Sequence, residues 1–270
     1  MVGTLIKHEA RRTLRWYGLI LLAGVVIVGF AYLATVLLPP PLQGFFSVLT
    51  FLGTGALIGV VPIWLGIDFY RSSYSKTGYL TRALPVKGST IYWTKLGFAY
   101  VLSLGTILVG LVLGYVATLA FEIAAGGTVE AVNESLRQLL HAIVNEVPLW
   151  VTLLILALVL LWPLTWLASY YFAAAVGSEA WASRMGVGGP ILVWFLFYAA
   201  SQIIGLLGAL IPLQLFFGNG SPHIGFEMLD FANIEDQQAL PLGVFLAMFL
   251  LSAVAIVWAS VSFDRKAELR

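Results

Sequence analysis

Apolar residues gather along this chain in six uncharged runs: Tyr17–Leu38, Gly44–Ile67, Leu96–Phe121, Pro148–Tyr171, Val187–Ile211 and Pro241–Val261. An α-helix rises about 1.5 Å per residue, so about 20 apolar residues cross the roughly 30 Å hydrocarbon core of a bilayer. Each run is long enough, and the pattern predicts an all-α integral membrane protein with six transmembrane helices. The first run spans 22 residues. The apolar region of a cleaved signal peptide is about 7–15, so this one reads as a retained span. Only PPPLQ (Pro39–Gln43) separates the first two runs. Prolines cannot continue a helix, and a turn this short predicts an antiparallel pair.

Two segments beside the runs carry helical periodicity. In residues 1–16, Lys7, Arg11 and Arg15 recur on one face, while Ile6, Ala10, Leu14 and Tyr17 recur on another. This predicts a basic amphipathic helix lying at the headgroups before the chain turns into the first span. Within 122–147, Val129, Val132, Leu136, Leu139, Leu140 and Ile143 share a face, with Glu130, Glu134 and Arg137 opposite. That segment predicts a surface helix on the outer leaflet or on the bundle. The transmembrane domain covers 17–262, followed by a tail at 263–270.

Composition agrees. The chain is 60% hydrophobic and 10% charged, with a mean hydropathy of +0.96; soluble domains are nearer 45–50% and about 25%. Charge sets the orientation. Of 14 basic residues, 13 fall at the termini, in the 68–95 connection or at Arg184, and only Arg137 lies on the other side. Lys and Arg collect in cytoplasmic loops, so both termini and the 68–95 connection are expected inside.

Several chemistries lack their residues. The six runs hold no Asp, Glu, Lys, Arg or His. A charge at mid-bilayer costs about 2.5–3.5 kcal/mol and is kept there for a purpose, so proton-coupled transport is disfavoured. Sodium coupling through neutral ligands stays open. No H-E-x-x-H, G-x-S-x-G or G-x-x-x-x-G-K-[ST] motif occurs, so the chain is not expected to be an enzyme or to hydrolyse ATP by itself. With no cysteine, thiolate metal sites are excluded. His223, Glu227, Asp230, Glu235 and Asp236 read as a solvated acidic loop; no metal site is expected. Gly55/Gly59 and Gly110/Gly114 offer close helix packing, within one subunit or between two. Phe45, Phe46, Trp64, Trp194, Phe195 and Tyr198 are candidates for a substrate path or for interfacial belts.

The 68–95 connection stands apart. It carries five basic residues (Arg71, Lys76, Arg82, Lys87 and Lys95) among Phe69, Tyr70, Tyr74, Tyr79, Tyr92 and Trp93. Such aromatics argue against disorder. Leu80 and Leu84 are one helical turn apart, Pro85 ends that turn, and Ser89 or Thr90 can cap the next helix. Two readings stand side by side: a short helix presented to a cytoplasmic partner, or a topology anchor touching anionic lipid. The stretch GYLTRALPVKGSTIYWTK (78–95) resembles the cytoplasmic signature of ABC-2 type ABC-transporter permeases. The matching positions are Gly78, Tyr79, Leu80 and Thr81, then Leu84, Pro85 and Val86 with Lys87, then Lys95 opening the third span. Where members often carry an acidic residue before the Gly-Tyr pair, this chain has Lys76 and Thr77.

The resemblance implies a permease subunit of an ATP-driven exporter in a prokaryotic plasma (inner) membrane, moving lipids, peptides, antibiotics or other amphipaths. It implies a separate ATP-binding cassette subunit holding ATP and Mg, a second permease copy or homologue, and lipid, with no nucleic acid and no cofactor on this chain. The 68–95 segment would dock the ATPase, and Glu179 and Arg184 of the 172–186 loop would make a second contact. An ion-coupled carrier and a non-transporting scaffold or sensor are the alternatives.

Overall fold

The structure, a computed structural model, describes residues 2–75, 86–217, 222–229 and 239–265. Among these it contains eight helices: α1 (Val2–Leu37), α2 (Pro40–Tyr74), α3 (Gly88–Ala124), α4 (Val129–Asn145), α5 (Leu149–Val176), α6 (Ala180–Ser183), α7 (Gly188–Ala209) and α8 (Leu242–Arg265). Three short strands, β1 (Gln214–Phe216), β2 (His223–Gly225) and β3 (Ala239–Pro241), lie between α7 and α8. Helices α1, α2, α3, α5, α7 and α8 are each long and apolar enough to cross a membrane.

The helices overrun the apolar runs, for local reasons. The segment 1–16 is not a separate helix: α1 continues without a break for 36 residues, since no proline interrupts it. The PPPLQ turn is shorter than its sequence predicts, because Pro40 and Pro41 form the first turn of α2. A helix's first N–H groups have no intrahelical partner, so proline costs nothing there. The Gln43 side-chain amide closes the turn by donating to the Leu38 carbonyl at 3.1 Å. The described parts of the expected 68–95 connection are mostly helix, α2 reaching Tyr74 and α3 starting at Gly88. Ser89 and Thr90 therefore lie inside α3 rather than capping it, and a carboxylate from α8 takes that role: Asp264 Oδ1 accepts from the Ser89 N–H at 3.2 Å.

The chain forms two compact units, Met1–Leu65 with Thr94–Ala142, and Gly66–Trp93 with Ile143–Arg270. In the first, the Tyr17 hydroxyl of α1 donates to the Leu102 carbonyl of α3 at 3.0 Å and lies 3.3 Å from Thr106 Oγ1. Gly110 faces Ile58, so close that an added Cβ would lie 2.7 Å from its Cδ1. Gly55, Gly59 and Gly114 face open space instead, so those three small residues bring no helices together among the described residues. Several buried hydroxyls satisfy themselves against their own helix, as Thr50 donates to Phe46 O at 2.8 Å and Ser103 to Ala99 O at 2.9 Å. That is how a polar side chain is tolerated where no water competes.

In the second unit α5, α7 and α8 pack together. Both ends of α7 meet a neighbouring backbone directly: Gly189 against the Gly177 carbonyl, and Gly208 against Gly243. No larger residue fits at either contact. Strands order β2-β1-β3, all antiparallel, with Leu215 paired to Ile224 and Leu240. Their alternation plants Leu215 against Val151 and Leu242, at the ends of α5 and α8. The periodicity of the chain does not announce this small sheet, because three-residue strands are too short to alternate visibly.

Helix α4 is amphipathic as expected but has no buried residue. Tyr115 of α3 donates to Asn133 Oδ1 at 2.7 Å, which ties the helix to the first unit by a polar contact.

Candidate functional site

Two features of the helices concern function. One is at the end where α2 stops and α3 and α8 begin and end; the other is a cavity among α5, α7 and α8.

At the first, five rings close on one another in the second unit. Phe69 of α2 stacks on Tyr171 of α5, centroids 4.0 Å apart and planes within 12°. Phe69 also meets Tyr74, Tyr92 of α3 and Phe263 of α8 at 5.9, 5.8 and 5.9 Å. All five are buried. Edge-to-face and offset pairs add about 0.5–1.5 kcal/mol each beyond the burial of their area, so the cluster is a rigid joint among four spans. Ser262 of α8 donates to Glu179 Oε1 at 2.8 Å, tying the loop after α5 to the same place, beside the Asp264 cap on α3.

In the first unit, Lys95 of α3 is only 5% exposed. Its ammonium lies 3.1 Å from Glu9 Oε1 on α1, and Glu9 Oε2 accepts from Arg12 at 2.5 Å. Lys95 thus straps α3 to α1 and is not a surface contact.

Among the predicted docking residues, Gly78, Tyr79, Leu80, Thr81, Leu84 and Pro85 lie outside the described residues. Val86 is half-buried and Lys87 exposed, at the approach to α3. Arg184 is exposed on the loop between α6 and α7, whereas Glu179 is turned inward to Ser262. Trp181 on α6 and Met185 beside Arg184 are half-exposed as well. Sequence reasoning passed these two over, although an apolar residue in a connection outside the spans is a signal that was there to read.

The cavity has a volume of about 490 Å³. Of the predicted path residues, Trp194 and Tyr198 line it; Phe45, Phe46 and Trp64 do not, and Phe195 is 61% exposed on the outside of α7. Trp162, Trp166, Tyr170 and Gln202, which were not singled out from the sequence, line it as well. The lining carries no Asp, Glu, Lys, Arg or His. Acid–base chemistry has no carboxylate or imidazole to work with there, while binding has many ring faces. Among the described residues no group of three His, Cys, Asp or Glu is placed to hold a metal. His223 stacks instead on Phe216 in the small sheet, centroids 5.5 Å apart.

No family model, curated protein or solved structure matches this chain.

Proposed function

We propose that the chain is the membrane-spanning subunit of an ATP-driven exporter of the ABC-2 permease type, with both termini on the cytoplasmic side. A separate ATP-binding cassette subunit docks where α2, α3 and α8 meet, and a second permease copy or homologue completes the transporter. One observation carries the reading: the segment with the permease-like signature is attached at both ends to a single five-ring joint. Tyr74 stands just before it and Tyr92 near its far end, and both rings belong to the cluster with Phe69, Tyr171 and Phe263. A push on such a segment cannot be absorbed by loose side chains; it moves α2, α3, α5 and α8 together. The distribution of basic residues supports the orientation. Exposed Lys87, Arg184, Trp181 and Met185 suit the rim of a docking surface.

The test is purification of the tagged chain from its own membrane in mild detergent, with mass spectrometry of what accompanies it. A stoichiometric subunit bearing a P-loop is expected, lost when Leu80 and Leu84 are both replaced by Asp. Nucleotide-dependent transport at an unchanged rate in that double variant would refute the docking role.

A further inference from the structure

We infer that the cavity among α5, α7 and α8 is a binding site for an amphipath without negative charge, with a flat ring system and a hydrogen-bonding group, admitted sideways from the surrounding lipid. The volume, about 490 Å³, falls within the roughly 300–1,000 Å³ of small-molecule sites. Its wall is a ladder of near-parallel rings. Tyr170 and Trp194 lie 6.2 Å apart with planes within 8°, and Trp194 and Tyr198 5.8 Å apart within 19°. Ring faces in register favour a planar partner over a flexible chain, because offset stacking rewards flatness.

A negative charge is disfavoured by what is missing. No cationic side chain lines the cavity, so an anion entering it would shed its hydration with nothing to replace it. Hydrogen bonding is offered, and selectively. Ser169 and Ser201 spend their protons on the Trp166 and Tyr198 carbonyls, each at 2.7 Å, which leaves their lone pairs to accept. The Gln202 amide provides both donor and acceptor. It is exposed, in the middle of a helix apolar enough to span a membrane, where an amide without a partner is costly. Tyr198, Gln202 and Leu206 follow one another by single turns along α7 and are all exposed, so the opening runs down the side of that helix. A ligand enters from the hydrocarbon, its polar group meeting Gln202.

The inference deepens the export reading by naming a cargo class, and rests on it only for calling the ligand cargo. Binding is measured on the chain alone, in nanodiscs of zwitterionic lipid. The probe is phenylnaphthylamine, neutral with flat rings and one N–H, followed by energy transfer from tryptophan. Saturable transfer is expected. The Gln202→Leu variant should bind about tenfold more weakly, the loss of one or two hydrogen bonds in an apolar site. Gly205→Trp should abolish the signal by filling the space. Gly205 lines the cavity and an added Cβ there meets nothing within 4 Å, so the backbone accepts the change. Should that variant lose its helical circular dichroism, Trp194→Ala gives the same reading by removing the middle ring. Anilinonaphthalene sulfonate, the same rings with a fixed negative charge, should show no saturable binding. Transfer that rises linearly and ignores all three substitutions overturns the inference. So does equal binding of the sulfonate, or displacement of the probe as readily by a ringless long-chain alcohol. An absent ATPase partner would leave the binding result standing, and failed binding would leave the docking result standing.

Discussion

Glu9 serves two cations at once, since it faces Lys95 on one side and Arg12 on the other. Breaking a buried ion pair by deleting one partner costs about 3–5 kcal/mol, because a charge is left behind in a poor solvent. The two deletions are not equivalent. Lys95→Met leaves Glu9 with Arg12, whereas Glu9→Gln withdraws the carboxylate from both cations at once. Thermal unfolding in detergent should therefore show the larger loss for Glu9→Gln, and the double variant should recover part of it. Tyr92 behaves in the opposite sense. Its hydroxyl is buried with no hydrogen-bond partner among the described residues, while its ring serves the aromatic joint. Tyr92→Phe keeps the ring and removes the stranded oxygen, so the melting temperature should hold or rise. A clear fall would reveal a partner for that oxygen outside the described residues.

Between helices, the glycines divide into two kinds that the sequence writes identically. Gly208 touches the Gly243 backbone and the Ala247 side chain, so Gly208→Val forces two helices apart and should cost about 3 kcal/mol, the upper end of the usual range for overpacking. Gly55→Val, made where nothing lies within 4 Å, should leave the melting temperature of the isolated chain unchanged. A matched pair of melts separates the two cases. The comparison also marks what was legible beforehand. Six spans could be read because a run of uncharged residues states its own length. Where each helix stops could not, since that depends on partners distant in the chain: the Asp264 carboxylate sets the start of α3, and the Phe69 cluster holds the last turns of α2. Likewise Trp194 and Tyr198 could be picked out as aromatic, but only packing decides that they face a cavity while Phe195, their neighbour, faces outward. Lys95 illustrates the same limit. A lysine opening a span reads as a surface charge until Glu9, far away in sequence, is seen to meet it.

For the chain as a whole, the absence of cysteine makes orientation directly measurable. Single cysteines at Lys87 and Arg184, both exposed, should react with an impermeant maleimide only in inside-out vesicles. One at Gln138, on exposed α4, should react only in right-side-out vesicles. The reverse pattern would invert the molecule, and labelling of all three from one side would mean that the spans do not alternate. Orientation bears in turn on α1, whose 36 residues run about 54 Å as one uninterrupted rod. A hydrocarbon layer of about 30 Å cannot contain it, so roughly 24 Å projects beyond. That overhang is a lever arm. A tilt of the embedded part by about 10° swings its far end through about 4 Å, with no joint in between to absorb the movement. Glu9 sits on that arm 3.1 Å from the Lys95 ammonium, so such a swing would be passed to α3 through the ion pair.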